Sequence, residues 1–134
     1  MVCYHGGRLT AFAGRRGAGL HVYADVDFQG VAARDVLEQD VTDRVRTGHG
    51  GMHPVALADR KRVIVAIGSC RDEAVTTPVG LADVLKPGQT YTLRQYSSER
   101  DEWAESGKAT GRNLANLGVR IEAGGYHVLE FTRR

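Results

Sequence analysis

The chain has two cysteines, Cys3 and Cys70, in 134 residues. Two thiols do not make a disulfide framework. Its N-terminal stretch lacks a basic region followed by an apolar one, so a secretory signal is not expected. Synthesis in a cytosol, with both thiols reduced, is the corresponding expectation. No apolar run approaches the ~18 residues that span a bilayer as a helix, so no membrane partner is expected. Lysine is scarce, at 3 of 18 basic residues, and the other 15 are arginine, which reads as coding bias rather than a site. The formal charge is only +2. Basic residues are scattered among acids, where a nucleic-acid binder concentrates them in a stripe. Arg60-Lys61-Arg62 and Arg133-Arg134 are short runs that read as solvated edges. No nucleic-acid partner is expected. There is no GxGxxG, no P-loop and no GxSxG, and no cofactor is implied.

What is present is strand grammar. In residues 20–28, Leu20, Val22, Ala24, Val26 and Phe28 alternate with His21, Tyr23, Asp25 and Asp27. A strict period of two marks a half-buried strand. Gly6-Gly7 separates two short apolar runs and predicts a hairpin. Residues 62–68 hold five consecutive apolar residues, Val63 to Ile67, as in a strand covered on both faces. Tyr91 and Leu93 alternate with Thr90, Thr92 and Arg94 behind a Pro87-Gly88 pair that suits a type II turn. Strands are expected near 2–5, 8–13, 20–28, 62–68, 89–96, 119–122 and 126–131, the last two joined as a hairpin at Gly124-Gly125. Residues 46–54 read as a glycine-rich loop and 72–78 as a polar turn. Residues 31–46 fit a helix, from the i, i+4 spacing of Leu37, Val41 and Val45, or equally two short strands.

The fold class is therefore mainly β: a single domain over residues 1–134, an antiparallel β-sandwich or barrel with at most one short helix.

Four groups of residues carry chemistry worth weighing. His49 and His53, four apart, have zinc-ligand spacing, but lie among glycines and need a further ligand such as His21, Asp25 or Cys70. Asp25 and Asp27 share a strand face ~7 Å apart, which reads first as a solvated sheet surface. Cys70 follows an apolar strand, as nucleophiles do, yet reads better as a buried structural thiol. Trp103 and Tyr96, with Tyr91 and Tyr126, make a ligand-stacking platform if they share a surface. Trp103 sits among Asp101, Glu102 and Glu105 and should be partly exposed, whereas Tyr91 belongs to the core.

The segments Leu85-Lys-Pro-Gly-Gln-Thr-Tyr-Thr-Leu-Arg and Val119-Arg-Ile-Glu-Ala-Gly-Gly-Tyr-His-Val-Leu-Glu-Phe resemble the closing strands of accessory β-sandwich domains. Such domains end many glycoside hydrolases, and similar modules occur in virus particle proteins. The resemblance covers about 45 residues, implies the sandwich fold and carries over no functional residue.

Open sheets have edges that must be covered, charged or paired. With no catalytic signature, the leading expectation is a non-enzymatic structural or assembly module. An example is a small virion component, a phage head-decoration or tail protein, with protein partners or copies of itself. It would be cytoplasmic on synthesis and then incorporated in a particle. The alternatives are a carbohydrate-binding module using Trp103 and Tyr96, and a metal-dependent enzyme using His49, His53 and either Asp25 or Cys70.

Overall fold

The computed structural model describes residues 2–5, 8–16, 19–24 and 39–134, the first three segments as strand backbone. Twelve strands are present among them: β1 (Val2–His5), β2 (Arg8–Arg16), β3 (Gly19–Ala24), β4 (Gln39–Asp40), β5 (Arg46–Thr47), β6 (Met52–Ala58), β7 (Arg62–Ser69), β8 (Val75–Gly80), β9 (Thr90–Ser97), β10 (Glu102–Thr110), β11 (Asn116–Ile121) and β12 (Tyr126–Arg133). They form three antiparallel sheets, ordered β1-β2-β3, β10-β9-β12-β7-β6-β4 and β11-β8-β5. The outer strands of the six-stranded sheet, β10 and β4, do not pair with each other. The fold is thus sandwich-like and not a closed barrel.

The core lies between the six-stranded sheet and the small sheet β11-β8-β5. Val63, Val65 and Ile67 of β7, Leu129 and Phe131 of β12, and Tyr91 and Leu93 of β9 point to one face of the large sheet. Val79 of β8 with Val119 and Ile121 of β11 meet them from the small sheet. Tyr91 packs edge-on to Phe131, with ring centroids 6.3 Å apart. The other face of β7 is buried as well, at Ile64 and Ala66. Both edges of β7 are occupied by β6 and β12, and β1 comes close to it. The apolar run at 63–67 is covered on both sides, as its composition requires.

Residues 39–46, the described part of the ambiguous segment, take the second of its two expected forms, short strands around a 3-10 turn at Thr42–Arg44, with Val41 and Val45 buried between them. Several other expectations are corrected by the pairing. The glycine-rich loop ends earlier than expected, because β6 begins at Met52. Asp59 then closes the β6–β7 hairpin by accepting from the Lys61 and Arg62 amides at 2.7 Å each, a turn the side chain builds for itself. The expected turn at 72–78 contains β8, with Pro78 inside it. Proline is tolerated there because Pro78 lies just beyond the last residue of β5, Thr47, where its carbonyl accepts from Gly48 (3.1 Å) and no donor is needed. Gly88 does not take a positive φ, so the 86–89 turn is not type II. Val119–Ile121 and Tyr126–Phe131 do not form a hairpin. The Gly124 turn (φ 64°) instead carries the chain from the small sheet across to the large one. The strand expected over 20–28 is observed as Gly19–Ala24; its remainder, including Asp25, lies outside the described residues.

Candidate functional site

The two packed sheets differ in width, and the site follows from that difference. The small sheet has three strands and ends at β11, beside β12. The large sheet continues past β12 to β9 and β10. Along β9 the core-facing positions are Tyr91, Leu93, Gln95 and Ser97, since side chains alternate. Their character changes from apolar to polar where the small sheet stops. On β10 the matching positions are Glu102, opposite Ser97, and Ala104, opposite Gln95. The result is an open slot of about 600 Å³, walled by Gln95, Ser97, Ala104, Ser106 and His127 on one side and the β11 backbone at Gly118–Arg120 on the other.

The wall of the slot is hydrogen-bonded. The Gln95 amide nitrogen donates to Ser106 Oγ at 3.2 Å, which turns Oε1 toward His127. His127 Nε2 lies 2.9 Å from that oxygen and therefore carries the proton. Its Nδ1 is left as an acceptor, buried and without a partner. His127 is only 9% exposed. Burial, and then the positive charge of Arg100, lower its pKa to about 4, so it is neutral at pH 7. Across one end of the slot, Arg120 of β11 grips Glu99 of the β9–β10 turn with both Nε (3.1 Å) and a terminal nitrogen (3.3 Å). Glu99 and Glu102 face Arg100 and Arg120 around the rim, so the slot has no strong net charge.

Among the described residues, β11 is an open edge of the small sheet. Leu81 N–H donates to the Ala115 carbonyl (2.7 Å) in the register that pairs Asn116 with Gly80. Antiparallel pairs alternate, so Leu117, Val119 and Ile121 turn their backbone groups to β8. Asn116, Gly118 and Arg120 turn theirs outward, and the Gly118–Arg120 stretch borders the slot. The register of β11 with β8 is unbroken over all six residues. The edge of β10 is defended by a bulge between Glu105 and Lys108, with Gly107 at φ 77°, and by the charges of those residues. β4 and β5 are two residues long. Of the outer strands in the two packed sheets, β11 has the fewest such devices.

The aromatic residues singled out from sequence are brought together, but on the opposite face of β9. Tyr96 stacks on Tyr126 (centroids 5.7 Å, 23°) and contacts Trp103 (5.5 Å). Arg94 lies over the Trp103 ring at 4.2 Å and pairs with the buried carboxylate of Glu130 at 3.1 Å. Tyr96 and Tyr126 are buried, and Trp103 is half-buried as expected. The Tyr96 hydroxyl donates to Asp101 at 2.6 Å, and burial first, then that bond, raise its pKa. These rings pack on one another, while Tyr91 is in the core on the other side of the sheet.

His49 and His53 are both exposed, one in the turn before β6 and one on it. Among the described residues no three His, Cys, Asp or Glu side chains come together as a metal site. Asp25 lies outside the described residues. Cys70 is a free thiol at the surface just past β7, not the buried one expected. Among the described residues no helix is long and apolar enough to cross a membrane.

Sequence reasoning passed over Gln95, Ser106 and His127. The signal was there in two strands: Gln95 and Ser97 continue the inward parity of Tyr91 and Leu93, and His127 that of Leu129 and Phe131. No protein family, curated protein or solved structure matches this chain.

Proposed function

We propose that this protein is a non-enzymatic assembly module that binds other protein chains by adding a strand to the edge of β11. The observation that supports this best is the unbroken β11 edge, along which the Gly118–Arg120 stretch lines an open slot. Strand addition to such an edge gives affinity through main-chain hydrogen bonds and specificity through alternate side chains. The setting it fits is a multi-subunit body, such as a virion in which the protein serves as a head-decoration or tail component.

The test is light scattering over a concentration series, with peptide capture, on the wild type and on Gly118→Pro. Gly118 directs its N–H away from β8, so proline there removes an outward donor and leaves the sheet paired. A Cβ at Gly118 meets only Thr76 Cγ2 at 3.8 Å, an ordinary contact. Self-association or peptide capture that Gly118→Pro abolishes supports the reading. A strict monomer that captures no strand-forming peptide overturns it.

A further inference from the structure

The slot occupies the place of a missing strand. Tyr91 and Leu93 of β9 are covered, but the Gln95–Ser97 end of its core-facing side and the neighbouring part of β10 stay open, where a fourth strand beyond β11 would lie. In a sandwich each strand residue fills about 160 Å³, from a rise of ~3.3 Å, a strand spacing of ~4.8 Å and a sheet separation of ~10 Å. The 600 Å³ of the slot therefore accommodates about four residues of one extended chain.

The wall of the slot states what that chain carries. A strand added to β11 presents every second side chain inward, onto Gln95, Ser97, Ser106 and His127. Aliphatic side chains there would bury, without partners, the hydrogen-bonding capacity that Gln95, Ser97 and Ser106 keep beyond the bonds within the wall. A second copy of β11 is such a strand, because its inward residues are Leu117, Val119 and Ile121. A two-fold pairing of β11 with itself is thus backbone-compatible and side-chain-mismatched. The rim, two acids and two arginines, selects no net charge.

We infer that the slot beside β11 takes an extended segment of a different protein, as a fourth strand of the small sheet, with Ser, Thr, Asn or Gln at its inward, alternate positions. This rests on β11 being a docking edge, and it names the partner's chemistry.

Selection of a phage-displayed random octapeptide library on the intact protein tests it. The expected result is enrichment of peptides with hydroxyl or amide residues at every second position. Their affinity should fall about tenfold or more in Gly118→Pro, as loss of a main-chain bond and crowding by the ring require. Repeating the selection on the double variant Gln95→Leu/His127→Leu, which replaces both partners of the central wall bond with aliphatic side chains, should weaken the polar alternation at the facing positions while still enriching strand-forming peptides. Enrichment of alternately aliphatic peptides on the wild type overturns the inference and leaves the edge reading intact. Self-association through β11, abolished by Gly118→Pro, does the same. If no peptide is retained and the protein stays monomeric, both the inference and the reading beneath it fail.

Discussion

Replacing Arg94 with methionine isolates the largest electrostatic stake in the large sheet. Arg94 and Glu130 face each other across β9 and β12, in register, with a 3.1 Å contact. The Glu130 side chain is 9% exposed and that of Arg94 24%. At an effective dielectric of ~20 two such charges attract by roughly 4 kcal/mol, most of which offsets their desolvation. Deleting one partner leaves the other charge buried alone, at a cost of about 3–5 kcal/mol. Arg94 keeps some contact with water, which places Arg94→Met near the lower end, about 3 kcal/mol. The cation over Trp103 adds roughly 0.5 kcal/mol. For a chain of this length that total lowers Tm by about 10 °C. The double variant Arg94→Met/Glu130→Leu removes both charges and should recover most of the loss. Urea denaturation of the wild type, both single variants and the double variant closes the cycle. A cost under 1 kcal/mol for Arg94→Met, or strict additivity in the double variant, would refute the claim that burial makes this pair interdependent.

Three further outcomes are expected. His127, ordinarily near pKa 6.5 and held at about 4 in the fold, is neutral in both states above pH 6.5, where its contribution is complete. As pH falls from 6.5 toward 4 only the unfolded chain takes the proton, so about 3 kcal/mol is lost and the loss then levels off; His127→Gln should flatten that part of a pH–stability curve, and an unchanged curve would count against a buried neutral imidazole. Gly111→Ala places a Cβ 2.1 Å from the Lys86 carbonyl oxygen, so the backbone must shift. A loss of at least ~2 kcal/mol in denaturant melts is expected, and a neutral result would place that turn differently. Tyr96→Phe removes the 2.6 Å bond to Asp101, which holds a positive φ of 54° at the β9–β10 turn, and should cost about 1 kcal/mol by the same melts with the aromatic stack intact in near-ultraviolet circular dichroism.

The strands legible in the sequence were those whose apolar residues declare one period. Val63–Ile67, Tyr91–Leu93 and the Leu129–Phe131 end of β12 pack into the core as their spacing requires. β10 was missed because an edge strand buries little: its residues are mostly exposed, and Gly107 interrupts the alternation with a bulge. β8 was missed because Thr76, Thr77 and Pro78 look like a turn, although Thr77 is fully buried between neighbours on both sides. The terminal arch looks like a hairpin in sequence because a Gly-Gly turn is locally the same in both. Only the sheet each strand joins separates them, and that is decided by contacts distant in sequence. The grouping of Trp103 with Tyr96 was visible as nearby aromatics, but their face was not. The polar slot lay hidden for a different reason: Gln95 and His127 are 32 residues apart and meet only because β12 pairs with β9.

The most direct measurement is backbone amide hydrogen exchange along β11, free and with a selected peptide bound. In the free monomer the account predicts alternation, with Asn116, Gly118 and Arg120 exchanging fast and Leu117, Val119 and Ile121 protected by β8; on binding, the fast set becomes protected. Uniform protection in the free monomer, or a fast set that stays fast when the peptide is bound, would contradict it.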